Sequence, residues 1–264
     1  MREHGSAQLN RLGNEHFSRG DYTRAHECYA KALECDRKTG DQRALVATLG
    51  NLANICAVSG RREAARQYYE EVLELQKLLG DERGIGTTLA NLGNLRADAS
   101  EYERARAYYL EALDILTRTK DEAAEAVLFS DLGFVARETG QFGEALQYYE
   151  RSLALMKRLG NEGGIADAWR MMARTYLLQQ RYDDAVACCR TSLAVAERMR
   201  DELRTGGARY VLAGCFEQMG RLREAAELLE QVVAMDRKYN LPKLQENIGR
   251  LEALKARLSE GARA

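Results

Sequence analysis

The side chains in this sequence best able to do chemistry are asparagines and arginines at regular stations. In "GIGTTLANLGNLRADASEYERARAYYLEALDI", residues 84–115, Asn91 and Asn94 stand three apart within an otherwise apolar pattern. Asn14, Asn54 and Asn94 follow one another at intervals of 40, and Asn51, Asn91 and Asp131 form a second such series. A carboxamide donates to a carbonyl and accepts from an amide at once, so a row of them can grip a polypeptide backbone without reading its side chains. Arg137, Arg170 and Arg174 come next along the chain. Guanidinium forks suit carboxylates. Amides leading to arginines suggest an extended protein or peptide ligand that is acidic or carries a free carboxylate. Asp131, Glu138 and Asp167 are equally good partners for those arginines within the chain itself, and neighbouring helices or water for the asparagines.

Catalytic chemistry has little to work with. No HExxH, GxSxG, P-loop or dinucleotide fingerprint is present. The three histidines, His4, His16 and His26, lie near the amino terminus and read as structural or surface residues. The six cysteines, at 28, 35, 56, 188, 189 and 215, have neither CxxC nor zinc spacing and read as small buried residues of a reducing compartment. Cys188 and Cys189 are adjacent on an expected helix, so one of them is expected to face away from the core. No cofactor or metal is expected. An enzyme, such as a thiol-dependent one, is a remote alternative.

Composition bounds the partner. The 264 residues are 45% hydrophobic and 30% charged, with a formal net charge of -1 from 39 basic and 40 acidic residues. Acids interrupt the basic residues everywhere, which argues against nucleic acid. No stretch reaches the apolar length of a membrane span, and the amino terminus has no signal-peptide core. A cytoplasmic location is the expectation.

The elements that position these residues repeat every 40 positions. Asp41, Asp81, Asp121, Asn161 and Asp201 open successive units as helix caps. Twelve residues later comes a small residue: Ala53, Gly93, Gly133, Ala173 and Ala213, with Gly13 in the first unit. Alanine fills a second station in all six units, from Ala25 to Ala225. Between the two stations Gly20, Gly60, Gly140 and Gly220 break the pattern, with Ser100 and Gln180 as exceptions. Tyr29, Tyr69, Tyr109 and Tyr149 recur in the second half of each unit, replaced by Cys189 and Leu229. Each unit therefore reads as helix, tight turn, helix, and the units must stack to bury their apolar stripes. Pro242 introduces one more amphipathic segment, which suits the first turn of a closing helix.

"LGNEHFSRGDYTRAHECYAKALECD" and "LGNLRADASEYERARAYYLEALDI" resemble tetratricopeptide repeats. The 40-residue spacing is similar to the branch containing kinesin light chain and the Leu-Gly-Asn-repeat polarity scaffolds, over roughly residues 6–236. The expected fold is all-α: a right-handed α-solenoid of six helix-turn-helix repeats plus a C-terminal capping helix. Repeats are expected to start near 6, 46, 86, 126, 166 and 206, with a cap over 241–259 and disordered tails over 1–5 and 260–264. The resemblance implies a non-catalytic interaction module whose first helices line a concave groove, where asparagines hold a peptide backbone. Asn14, Asn54 and Asn94 carry that role by matching position. A monomer is favoured. A self-assembling scaffold, joining copies through repeat ends or rims, is the alternative.

Overall fold

The computed structural model describes residues 5–261 and contains thirteen α-helices and no strand among them. In order these are α1 (Ser6–Ser18), α2 (Tyr22–Thr39), α3 (Gln42–Val58), α4 (Arg62–Leu79), α5 (Glu82–Asp98), α6 (Tyr102–Arg118) and α7 (Glu122–Glu138). Then follow α8 (Phe142–Arg158), α9 (Glu162–Leu178), α10 (Tyr182–Arg198), α11 (Glu202–Gln218), α12 (Leu222–Tyr239) and α13 (Leu244–Gly261). The chain is all-α: tandem helix-turn-helix repeats and a final helix. It forms two compact units, Met1–Leu128 and Phe129–Ala264, divided within α7. The tails expected over 1–5 and 260–264 lie outside the described residues, apart from Gly5, Glu260 and Gly261.

Helices α3, α5, α7, α9 and α11 begin where their caps place them. Asp41 accepts from the backbone amides of Arg43 and Ala44, and Asp81, Asp121, Asn161 and Asp201 each accept from the amide three residues on. These bonds satisfy amides that have no partner inside the helix. The turns within each repeat need one left-handed residue. Gly60 supplies it at φ 73°, and Ser100 and Gln180 adopt the same conformation at 59° and 61°. A side chain in this region costs about 1–2 kcal/mol, part of which glycine gives back as chain entropy. Ser100→Gly and Gln180→Gly should therefore each raise unfolding stability by about 0.5–1 kcal/mol. Urea denaturation checks this, and an unchanged or lower midpoint would show that these turns carry no strain.

The small stations lie at the centre of the packing. Ala25, Ala65, Ala105, Ala145, Ala185 and Ala225 are fully buried, as are Ala53, Ala173 and Ala213. Tyr29, Tyr69, Tyr109 and Tyr149 fill the space beside them and are themselves buried. At Gly133 a Cβ would stand 2.6 Å from the Tyr149 ring, so the glycine lets that ring lie against the helix backbone.

Two features depart from the sequence reading. Cys188 and Cys189 are both buried, where one was expected to be partly exposed. That expectation assumed a helix with a single apolar face, whereas α10 packs between α9 and α11 and buries two. Consecutive repeats are also joined by buried polar pairs. Thr48 Oγ1 donates to Asp36 Oδ2 at 2.6 Å, Thr88 to Gln76 Oε1 at 2.8 Å, and Asn247 Nδ2 to Asp236 Oδ2 at 2.6 Å.

Candidate functional site

In the first unit the asparagines serve two parties. Tyr29 Oη donates to Asn14 Oδ1 at 2.6 Å, Tyr69 to Asn54 at 2.5 Å and Tyr109 to Asn94 at 2.6 Å. Each bond ties the first helix of a repeat to its second, across fifteen residues of sequence. The carbonyl half of each carboxamide thus belongs to the scaffold and fixes its orientation. The three side chains nevertheless lie on exposed residues, and their amide nitrogens donate to no described residue. What remains available is a row of N–H donors, not the donor–acceptor pairs of the sequence reading.

Asn51 and Asn91 are half-buried. Asn51 Nδ2 donates to Asn10 Oδ1 at 3.2 Å, and Asn10 Nδ2 passes the chain on to Thr48 at 2.6 Å. A cavity of about 400 Å³ between α3 and α5 brings Asn51, Asn54 and Asn91 together with Arg83 and Thr87. Asn14 and Asn94 are not among its lining residues.

In the second unit the arginines divide by partner. Arg137 is only 4% exposed, and its guanidinium donates to Glu138 Oε1 at 2.8 and 3.1 Å while stacking over Phe134. Arg170 donates to Asp167 at 3.0 Å, and Arg204 holds the other oxygen of that carboxylate. Arg174 makes no hydrogen bond or ion pair with any described residue. It reaches solvent, yet surrounding protein lowers its pKa by desolvation, with Arg137 and Arg170 adding repulsion. An anion would relieve both effects. A cavity of about 610 Å³ is lined by Arg137, Glu138, Arg174, Tyr210 and Arg250.

Asp131 stands one repeat beyond Asn91 and also makes no bond to a described residue. Burial holds its carboxyl up at about 7, far above the usual carboxylate range. Close to it, the Tyr149 hydroxyl is buried without a partner. The reason is visible in the repeat: the station that carries asparagine in the first three units carries Phe134 here. Among the described residues no cluster of three or more His, Cys, Asp or Glu could hold a metal, and no helix is long and apolar enough to cross a membrane.

Sequence reasoning missed the tyrosine–asparagine locks, although a signal was present. Asparagine and tyrosine occur together fifteen apart in the first three units, and both are gone in the last two, which carry Arg174 with Cys189 and Gly214 with Leu229. It also missed Tyr210 and Arg250, which only the packing of α11 and α13 brings to the arginine cavity.

Solved structures with this fold are diverse. A Rap protein complexed with competence and sporulation factor aligns at TM-score 0.70 and 17% identity, over 97% of this chain and 76% of that one. A signal transduction ATPase with a tetratricopeptide repeat sensor, from Pyrococcus horikoshii, aligns at TM-score 0.73 and 14% identity, over 97% of this chain and 43% of that one. A kinesin light chain with nearly identical TPR-like repeats, from Podosopora anserina, aligns at 0.60 and 21%, over 74% and 96%. At such identities the likeness shows the fold alone. No curated protein matches the chain significantly in sequence. The tetratricopeptide repeat family model, by contrast, matches residues 5–78, 84–158 and 164–238. With those three stretches covering most of its length, the protein belongs to the tetratricopeptide repeat family.

Proposed function

We propose that the protein is a non-catalytic binding module that takes an extended, acidic segment of a partner protein and acts as a monomer. The observation that carries this reading is Arg174, a guanidinium repelled by two other arginines, attracted by Glu138 without an ion pair, and hydrogen-bonded to no described residue. The free amide nitrogens of Asn14, Asn54 and Asn94 support it as donors to a partner's backbone carbonyls. The similarity in fold to a Rap protein complexed with competence and sporulation factor, and to a protein with a tetratricopeptide repeat sensor, agrees with such a role.

Selection from a random peptide library should enrich segments containing Asp or Glu. Arg174→Ala should then weaken the best binder by about 10- to 100-fold, the loss of one charge-assisted contact. The deficit should shrink at high salt, because screening weakens the contact in the parent protein as well. Titration calorimetry at low and high salt measures both effects. Binders without acidic residues, or a variant that binds like the parent, would overturn the reading.

A further inference from the structure

A third cavity, of about 440 Å³, lies among α9, α11, α12 and the start of α13. Its walls are mainly apolar: Leu203, Val211, Val232, Met235, Leu241 and Pro242. Small-molecule sites share this character and size, with a few fixed polar groups setting orientation.

Three polar features stand out here. Asn247 is 2% exposed and lines the cavity. Its Nδ2 is committed to Asp236, which fixes the rotamer, and its Oδ1 is buried with no donor among the described residues. A buried acceptor with no donor is a costly arrangement that a ligand N–H or O–H would satisfy. Arg174, which makes no ion pair with a described residue, lines the same cavity. Tyr210 lines it too, with Lys243 and Arg250 over its ring at 5.7 and 5.1 Å.

The glycine pair Gly206–Gly207 adds an independent observation. Glycine weakens a helix interior, so two in succession call for a reason. Gly206 has one, since a Cβ there would collide with the Met235 sulfur. At Gly207 the nearest atom to an added Cβ is Arg170 Cδ at 3.4 Å, an ordinary contact. Packing does not require that glycine, and its effect is to leave the cavity wall open.

We infer that this cavity binds a small amphipathic carboxylate, with the acid group on Arg174, an apolar body against Val211, Val232 and Met235, and a hydroxyl or N–H donating to Asn247 Oδ1. The site shares Arg174 with the peptide reading, while Gly207, Met235 and Asn247 line this cavity and not the arginine cavity described above, so Gly207→Leu separates the two.

The test uses the full chain and 3-(4-hydroxyphenyl)propanoate, followed by amide chemical shifts in a two-dimensional NMR titration. Saturable shifts should localise to α11, α12 and the first turns of α13. 3-Phenylpropanoate, which lacks the donor, and 3-(4-hydroxyphenyl)propanamide, which lacks the charge, should each bind at least about tenfold more weakly. Gly207→Leu should abolish the shifts while keeping the helical spectrum and melting temperature of the parent, and should leave selected acidic peptides bound. Absence of saturable shifts, equal binding of all three compounds, or undiminished binding by Gly207→Leu would each overturn the proposal.

Discussion

Removing residues 241–264 should lower the melting temperature by about 10 °C or more and make the chain prone to aggregate. The helix lost is α13, which buries Leu251 and Leu254 and packs Leu244, Ile248 and Leu258 against the core of the second unit. A fully buried leucine contributes about 1.5–3 kcal/mol. Two of them, with the partly buried residues beside them, outweigh the entropy regained by freeing the helix. Deletion also removes the Asn247 amide from which Asp236 accepts. The partly buried pair of Arg250 with Glu217 disappears as well, while the more exposed pairs of Arg257 with Glu217 and of Lys255 with Glu230 contribute little. Differential scanning calorimetry with light scattering is the measurement. A truncated chain that melts with the parent and stays monodisperse would show that α13 contributes nothing to the stack.

Asp131→Asn should stabilise the protein by up to about 4 kcal/mol near pH 8 and by little near pH 4. The sign follows from proton uptake. The folded carboxyl titrates at about 7 and the unfolded one near 4, so between those values the folded state holds the extra proton. Stability of the parent therefore falls as pH rises through this window. The penalty is absent below the unfolded pKa and complete above the folded one. Burial is the cause, and no hydrogen bond from a described residue offsets it. Asparagine has the same shape and no charge to desolvate. Urea denaturation of both proteins across the window gives the difference directly. A difference that does not change with pH would mean that Asp131 titrates as a solvated carboxylate.

Much of the fold could be read from particular residues, because each of those signals is local. Asp41 and its equivalents announce helix starts through a bond to amides two or three residues away. The alanine series marks helix contacts because no larger side chain fits there. The misread features depend on two helices at once. Cys188 and Cys189 looked incompatible with one core because a single helix was imagined with a single partner. Ser100 and Gln180 adopt a glycine conformation that their own side chains disfavour, imposed by the two helices each turn joins. The site was legible only in part for the same reason. Asn54 and Asn94 were recognised as polar stations, but the donation of Tyr69 and Tyr109 to their carbonyl oxygens became visible only when the second helix was in place. Arg137, Arg170 and Arg174 look alike in sequence, and only the packed structure separates two that are paired from one that is not.

The central claim is that each asparagine gives its carbonyl to the scaffold and its amide nitrogen to a partner. Exchanging Asn54 and Asn94 together for aspartate separates the two halves. Aspartate still accepts the hydroxyl protons of Tyr69 and Tyr109, so the internal locks survive. It has no N–H to offer and presents charge to a backbone carbonyl. The most direct measurement is calorimetric titration of the double variant with a selected acidic peptide, beside thermal melts of the same samples. The expected result is a melting temperature within about 3 °C of the parent, with affinity lower by at least about tenfold. Parent-like affinity in the double variant would contradict the account and leave the asparagines to the scaffold alone.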